Sequence, residues 1–137
     1  MNLYGIWIDH AHAFIVKAQP SGEMTIQQIE SGISPHFHHH SGGTQEGEHV
    51  TITNQHHGDQ TRINQIHAYA ERIIGMLQDA HEIAIFGPSN AKYDLRHILQ
   101  EKHKDLAGKL GTFETTDKMT ENQLTAFVKK IFRLPRI

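Results

Sequence analysis

The sequence predicts one α/β domain with a mixed five-stranded sheet and helices on both faces. A chain of 137 residues matches the usual size of a single domain. Short apolar blocks near the N-terminus are separated by turn residues, which is typical of antiparallel strands. Later apolar blocks alternate between short strand-like runs and the three/four spacing of amphipathic helices, and right-handed helical crossovers make such strands parallel. The predicted order of elements is therefore βββαβαβα.

The first 30 residues predict a three-stranded antiparallel meander. Tyr4–Ile8 and Ala13–Val16 are apolar and rich in β-forming residues, and Asp9 lies in the turn between them. A second turn at residues 19–22 precedes the weak alternation of residues 24–29, which indicates an edge strand. Asp9 is expected to act as a turn residue, because aspartate readily accepts hydrogen bonds from the backbone that follows it.

A metal-dependent nuclease is not expected from this pattern. Such an enzyme needs several carboxylates around two divalent cations, and the second parallel strand ends in Phe86–Gly87 rather than in an acid. The other acids, Glu71 in the first helix and Glu114 and Asp117 near the last strand, do not complete the set.

The second half of the chain predicts three helices and two further strands. The first helix spans Gln60–Gln78, and the second is expected to end near Lys104. Ile83–Phe86 is the apolar run of a buried strand, and Leu110–Glu114 indicates another. The last helix opens with a capping box at Thr120–Gln123. This order is that of the ribonuclease H-like fold. The apolar helix faces are predicted to carry Ile63, Ile66, Ala70, Ile73, Ile74 and Leu77, then Tyr93, Leu95, Ile98 and Leu99, then Leu124, Phe127, Val128 and Ile131.

Residues 31–59 are predicted to form a long loop within the domain, and they are rich in histidine and glycine. They show no sustained hydrophobic period, although Val50–Thr53 could add a short strand. Loops of this length in small domains are usually functional or disordered. We therefore take this loop as the candidate functional segment. Its candidate residues are His36, His38, His39, His40, Gly42, Gly43 and Gln45.

The composition excludes a bulk positive field. With 13 Lys and Arg against 15 Asp and Glu, the formal net charge is -2 when histidines are neutral, so any contact with RNA must be local. The 13 histidines make the surface charge sensitive to mild acid. The absence of cysteine excludes disulfides and thiolate metal sites. With no export signal and no apolar run long enough to span a bilayer, we expect a cytoplasmic protein without a membrane partner.

The loop histidines are candidate ligands for a transition metal, because neutral imidazole binds zinc, copper and nickel. A stable site needs three or four ligands held rigidly, and a glycine-rich loop without cysteine does not guarantee them. We therefore expect no resident metal or cofactor, apart from adventitious zinc or nickel. If a metal does bind, the predicted ligands are His36, His38, His39 and His40.

The turn at residues 87–92 follows a buried strand and opens a helix. At such a position the backbone N–H groups and the helix dipole favour an anion, and Lys92 adds positive charge. In this interpretation Ser89, Asn90 and Lys92 contact phosphates. The alternative is that the turn residues only shape the chain and that Ser89 or Asn90 caps the helix.

Three segments together resemble a known family. They are residues 4–10 (YGIWIDH), residues 83–92 (IAIFGPSNAK) and residues 113–117 (FETTD) followed by the helix over residues 123–132. They resemble the central domain of class 1 translation release factors of eukaryotes and archaea, and are more similar still to small bacterial stand-alone relatives often labelled translational machinery proteins. The resemblance covers nearly the whole chain and implies a ribonuclease H-like fold, in agreement with the element order.

The resemblance also implies a role for the long loop. In the release factors, the loop between the third strand and the first helix carries a Gly-Gly-Gln tip that enters the peptidyl transferase centre and promotes ester hydrolysis. The corresponding place here is His40-Ser41-Gly42-Gly43-Thr44-Gln45. Thr44 separates the glycine pair from Gln45, and the arginines expected around the tip are missing. The resemblance implies the position of the loop and a ribosome or tRNA partner.

These observations predict a translation-associated domain that binds RNA or the ribosome without strong catalysis. One alternative is a hydrolase of the peptidyl-tRNA ester in ribosome rescue, in which Gln45 would position water and Gly42 and Gly43 would permit close backbone approach. Another is a histidine-rich metal-binding or pH-responsive interaction module. The sequence makes no prediction of oligomeric state. The predicted RNA contacts are His36, His38, His39, His40, Gly42, Gly43, Gln45, Ser89, Asn90 and Lys92.

Overall fold

The computed structural model of the protein describes residues 1–33 and 60–135. These residues form five strands and three helices in the predicted order, with one short additional helix. The strands are β1 (Leu3–Ile8), β2 (His12–Ala18), β3 (Met24–Glu30), β4 (Glu82–Gly87) and β5 (Leu110–Thr115). The helices are α1 (residues 60–75), α2 (Ala91–Lys102), α3 (Lys104–Ala107) and α4 (Glu121–Phe132). The strand suggested at Val50–Thr53 lies outside the described residues.

All five strands form one mixed sheet in the order β3-β2-β1-β4-β5. β2 runs antiparallel to both β1 and β3, which confirms the predicted meander. β4 pairs parallel with β1, and β5 pairs parallel with β4, as expected for strands joined by helical crossovers. The predicted ribonuclease H-like arrangement is therefore confirmed.

Helices cover both faces of the sheet because successive residues of a strand point to opposite sides. Ile6 and Ile8 of β1 belong to the larger core cluster, together with buried residues of α1 and α2. Trp7 belongs to a second cluster, in which Leu124 and Val128 of α4 are buried. The domain thus has α1 and α2 on one face and α4 on the other.

α4 begins at the predicted capping box. The Thr120 side chain accepts a hydrogen bond from the Gln123 backbone, and the Gln123 side chain accepts one from the Thr120 backbone. Met119, just before the cap, packs against the cluster that contains Leu124, as expected of a hydrophobic staple.

The middle helix is shorter than its spacing predicts. α2 ends at Lys102, and the chain starts the separate helix α3 at Lys104. The residue between them, His103, leaves the helical conformation with φ -136° and ψ 64°. Its Nε2 lies 2.8 Å from Oε1 of Glu71 on α1. This contact ties the break between the two helices to the neighbouring helix.

Two residues predicted on apolar helix faces are exposed. Ile63 is 47% exposed, and it lies one turn before Ile66, where the packing of α1 against the core begins. Tyr93 is 45% exposed. Its ring meets the edge of the Phe113 ring with centroids 5.2 Å apart, and the Arg96 guanidinium lies 4.0 Å from the Phe113 centroid. Tyr93 therefore belongs to a surface cluster and not to the core.

Asp79 joins the end of α1 to the first two strands. Its carboxylate accepts hydrogen bonds from the hydroxyl of Tyr4 at 2.6 Å, from the side-chain amide of Asn2 at 2.9 Å and from Nζ of Lys17 at 3.1 Å. The bond from Tyr4 is the main reason that the pKa of Asp79 lies below its ordinary value of 3.8, and Lys17 lowers it further. Burial and the Asp79 carboxylate together raise the pKa of Tyr4, which stays a neutral donor.

We expect Asp79→Asn to reduce the dependence of stability on acid. A carboxylate whose pKa is depressed by folding stabilises the folded state above its unfolded pKa of about 3.9 and loses that contribution as the pH falls. The difference in the free energy of unfolding between wild type and variant should therefore be largest at neutral pH and disappear in acid, as the pH falls through the depressed pKa of Asp79 in the folded state. Urea unfolding followed by the fluorescence of Trp7, the one tryptophan of the chain, measures this. Water screens the half-exposed Asp79 carboxylate, so the free energies of unfolding of the two proteins should differ by no more than about 1 kcal/mol. Parallel curves of stability against pH for the two proteins would contradict the prediction.

Candidate functional site

The strands β1, β4 and β5 end at the same edge of the sheet, because they are parallel neighbours whose last residues pair with each other. β3 ends there as well, since Ile8 pairs with Ala13 and Ala13 pairs with Ile29 across the meander. Ligand sites in open α/β sheets lie at the carboxyl ends of parallel strands. We call this region the carboxyl edge. It comprises residues 9–11, residues 31–33, residues 87–90 and residues 115–117.

The β1–β2 turn at the carboxyl edge is held by Asp9. Its Oδ1 accepts hydrogen bonds from the backbone N–H groups of Ala11 and His12, both at 2.8 Å. The Asp9 backbone N–H donates to the carbonyl of His12 at 3.0 Å. The prediction that Asp9 is a turn residue is confirmed, because one of its carboxylate oxygens serves this turn.

The start of the long loop is fixed to this turn. The backbone N–H of Ser31 donates to the carbonyl of Ala11 at 2.8 Å, and the guanidinium of Arg72 on α1 donates to the carbonyl of Ser31 at 2.8 Å. The Ser31 hydroxyl accepts from the backbone of Ile33 at 3.0 Å. The chain therefore enters residues 34–59 from a defined point beside the β1–β2 turn.

α1 is held to the same turn by Tyr69. The Tyr69 hydroxyl donates to the carbonyl of Asp9 at 3.0 Å. Burial of the ring, reinforced by the Asp9 carboxylate, raises the pKa of Tyr69 above its ordinary value of 10.0. The phenol stays protonated at physiological pH and keeps its role as a donor.

His10 faces the first turn of α2 at this edge. Its Nε2 lies 3.8 Å from Oδ2 of Asp94, and both side chains are about two-fifths exposed. Such an exposed pair contributes little to stability. The two side chains attract each other as an ion pair only when His10 carries a proton.

The turn after β4 requires a residue without a side chain at position 87. A Cβ on Gly87 would lie 2.1 Å from the carbonyl oxygen of Ile8, and φ is +157°. Glycine therefore allows β4 to leave the sheet in close contact with the end of β1.

The turn presents Asn90 to solvent and keeps Lys92 inside. Asn90 is the N-cap residue of α2 and makes no side-chain cap hydrogen bond, whereas the Ser89 hydroxyl makes a long contact of 3.4 Å with the N–H of Ala91. Lys92 is only 2% exposed. Its Nζ donates to the carbonyl of Ser89 at 2.8 Å and lies 4.8 Å from the centroid of the Tyr93 ring. A contact between Lys92 and a phosphate would require this side chain to leave the turn.

The other predicted site residues, His36, His38, His39, His40, Gly42, Gly43 and Gln45, lie outside the described residues. In the part of the chain that the structure describes, no group of three or more histidine and acidic side chains is arranged to hold a metal ion. The metal ligands considered from the sequence belong to the loop, and their assignment stays a prediction.

Three residues of this region were missed by the sequence analysis. Tyr69 and Arg72 lie one turn apart on α1, but their partners Asp9 and Ser31 are 60 and 41 residues away along the chain. Asp94 was not predicted as a site residue, because acidic residues are common in the first turn of a helix. One signal was present in the sequence, the spacing that places Tyr69 and Arg72 on one face of α1, and this spacing did not identify their partners.

The fold and the carboxyl edge define a class of protein: a ribonuclease H-like α/β domain in which residues 31–59 connect β3 to α1. No protein-family model and no curated protein sequence matches the chain. Within residues 1–33 and 60–135, no helix has the length and apolar character needed to cross a bilayer.

Solved structures of two named proteins share this fold. The chain is similar to Pelota from Archaeoglobus fulgidus, with a TM-score of 0.58 and 9% identity over 94% of this chain and 31% of Pelota. It is also similar to the archaeal translation termination factor aRF1, with a TM-score of 0.54 and 12% identity over 97% of this chain and 35% of the factor. The resemblance to release factors is thus confirmed as a shared fold. The chain spans about a third of the length of each of these proteins.

Proposed function

We propose that this domain associates with the translation machinery by contacting RNA at its carboxyl edge. The observation that carries the proposal is the position of the residues that flank the long loop. Ile33, before the loop, and Ile66, on α1, line one small cavity together with His10 and Ala91. Ala91 directly follows the turn at residues 87–90. The sequence suggested the loop and the turn separately as RNA-contacting segments. The residue before the loop and the residue after the turn therefore lie close together.

The shared fold supports the class of partner. One of the proteins that share this fold is named as a translation termination factor, and the shared fold extends over nearly all of the present chain. Because the chain corresponds to only about a third of that factor, we carry over a translation partner as a proposal and not the activity of the whole factor.

The chemistry of the edge suits a contact that depends on pH and salt. Exposed Asn90 lies at the N-terminus of α2, where the helix dipole favours an anion. Asp94 in the same turn offsets part of this field, so most of the positive charge must come from the loop histidines. Histidines gain charge as the pH falls towards 6. Binding is therefore expected to strengthen in mild acid and to weaken with salt, as phosphate contacts do.

Ribosome co-sedimentation at moderate salt tests this proposal. We expect the wild-type protein in the ribosome fraction and its release at high salt. Asn90→Asp should lower the bound fraction about threefold, because a carboxylate at the N-cap repels a phosphate. The same change favours the helix terminus, so loss of folding would not explain the result. Replacement of His38, His39 and His40 by alanine should lower the bound fraction further.

Gln100→Glu is the matched control, because it also adds one negative charge without a change in shape, on an exposed position of α2. This variant should remain in the ribosome fraction. Absence of the wild-type protein from the ribosomes of both growing and starved cells would refute the proposal. Equal reductions of the ribosome-bound fraction in Asn90→Asp and Gln100→Glu would show that the turn at residues 87–90 takes no part in the proposed contact.

A further inference from the structure

An open groove of about 1060 Å³ lies between the linker that follows β5 and the helix α4. It is on the face of the sheet opposite to α1 and α2, since α4 packs in the second core cluster. The linker wall is held in place by Trp7, whose indole N–H donates to the carbonyl of Asp117 at 3.2 Å. We call this feature the α4 groove. The lining residues used below are Lys118, Met119, Phe127, Lys129, Lys130 and Arg133.

The α4 groove carries a positive charge that the chain as a whole lacks. Its lining holds four cations, from three lysines and one arginine, against the single carboxylate of Asp117, whereas the chain has a formal net charge of -2. Lys118, Lys130 and Arg133 are exposed. Within residues 1–33 and 60–135, the ion pairs involve other residues, so these four cations have no carboxylate partner there.

The helix dipole does not explain this cluster fully. Lys129 and Lys130 lie in the last turn of α4, where cations complement the negative end of the dipole. Lys118, however, lies two residues before the N-cap Thr120, at the positive end, where the dipole disfavours a cation. The dipole therefore does not account for Lys118, although it lines the same groove as Lys129 and Lys130, which favours a negatively charged ligand in the groove.

We propose that the α4 groove binds the phosphodiester backbone of single-stranded RNA. Unpaired cations on two walls suit a polymer of phosphates, which Lys and Arg side chains neutralise. Met119 and the half-buried Phe127 supply apolar surface between them, as bases require when they pack on protein. An acidic protein segment fits less well, because lysine is depleted at protein–protein interfaces. This contact is separate from the carboxyl edge and does not depend on the loop.

Fluorescence anisotropy with a labelled oligouridylate of about 20 nucleotides and the full chain tests the inference. The variant Lys118→Gln/Lys130→Gln should bind about tenfold more weakly, and the slope of log affinity against log salt should fall by about 1.4, as expected for two lost phosphate contacts. The matched control is Lys102→Gln/Lys104→Gln, which removes the same charge from two exposed lysines elsewhere. The affinity of the control variant for the oligonucleotide should stay within about twofold of the wild-type affinity, since only its net charge has changed.

The outcomes separate this inference from the proposed function. If Lys118→Gln/Lys130→Gln weakens binding of the oligonucleotide and Asn90→Asp does not, the α4 groove is supported, even if the wild-type protein does not co-sediment with ribosomes. The groove is refuted if Lys118→Gln/Lys130→Gln and its control co-sediment with ribosomes equally and the wild type shows no salt-dependent binding of the oligonucleotide. That result leaves the proposed function standing. Displacement of the oligonucleotide by polyglutamate as effectively as by polyuridylate at equal charge would identify an acidic protein partner and overturn the choice of RNA.

Discussion

Gly87→Ala is expected to lower the free energy of unfolding by about 3 kcal/mol. The added Cβ would lie 2.1 Å from the carbonyl oxygen of Ile8, which is backbone of the central strand and has no rotamer into which it can move. Relief would require β4 to shift away from β1, and the two strands pair over most of their length. Urea unfolding followed by Trp7 fluorescence measures the loss.

Gly75→Ala is the matched control for this variant. Gly75 is exposed near the end of α1, and a Cβ there meets no other atom within 4 Å. Because alanine favours a helix over glycine, this substitution should leave the protein unchanged or stabilise it by up to about 1 kcal/mol. Equal stability of the Gly87 and Gly75 variants would contradict the close approach of β4 to Ile8. On the proposed function, Gly87→Ala should also co-sediment less with ribosomes, because residues 87–90 form part of the carboxyl edge.

Trp7→Ala is expected to cost about 3–5 kcal/mol, the usual range for removal of a large buried aromatic residue. Trp7 is 2% exposed and lies in the core cluster beneath α4. Its ring stacks on the imidazole of His12, with centroids 5.5 Å apart, and packs against Phe14 at 5.9 Å. Because the variant lacks the fluorescent residue, far-UV circular dichroism in urea is the appropriate measurement.

Trp7→Phe separates packing from hydrogen bonding at this position. It keeps an aromatic ring in the cluster and removes the indole N–H that bonds to the carbonyl of Asp117, so it should lose about 1–2 kcal/mol. A loss as large as that of Trp7→Ala would mean that the bond to the linker, and not the packing of the ring, dominates. A negligible loss in both variants would show that Trp7 is not part of the core.

The order of elements and their local signals could be read from the sequence because each depends on neighbouring residues. The apolar run of β1 and the Asp9 turn lie within ten residues. The reciprocal bonds of the capping box join Thr120 and Gln123, three residues apart. The three/four spacing likewise identified Ile73 and Ile74 of α1, and Leu77 just after it, as buried positions. Right-handed crossovers then gave the parallel pairing of β4 and β5 without further information.

The apolar spacing failed where the edge of the core determines burial. It assigned Tyr93 and Ile63 to buried faces, and both are exposed because the core does not extend to their positions. The phosphate contact of Lys92 was inferred from the turn and not from the apolar spacing; the folded turn engages this side chain with the carbonyl of Ser89, and the contact stays a prediction. Amphipathic periodicity describes a helix alone and does not report which of its turns lie over the sheet.

The sequence by itself determined the fold class, the hairpin turn at Asp9 and the candidate status of residues 36–45. Only the tertiary structure decided which of the distant segments meet. It joined Ser31 to Arg72 and Tyr69 to the Asp9 turn, and it brought Lys118 and Lys130 into the lining of one groove. The physical reason is that contacts within a few residues follow from local backbone geometry, whereas contacts between distant residues exist only after the sheet has fixed the register of its strands.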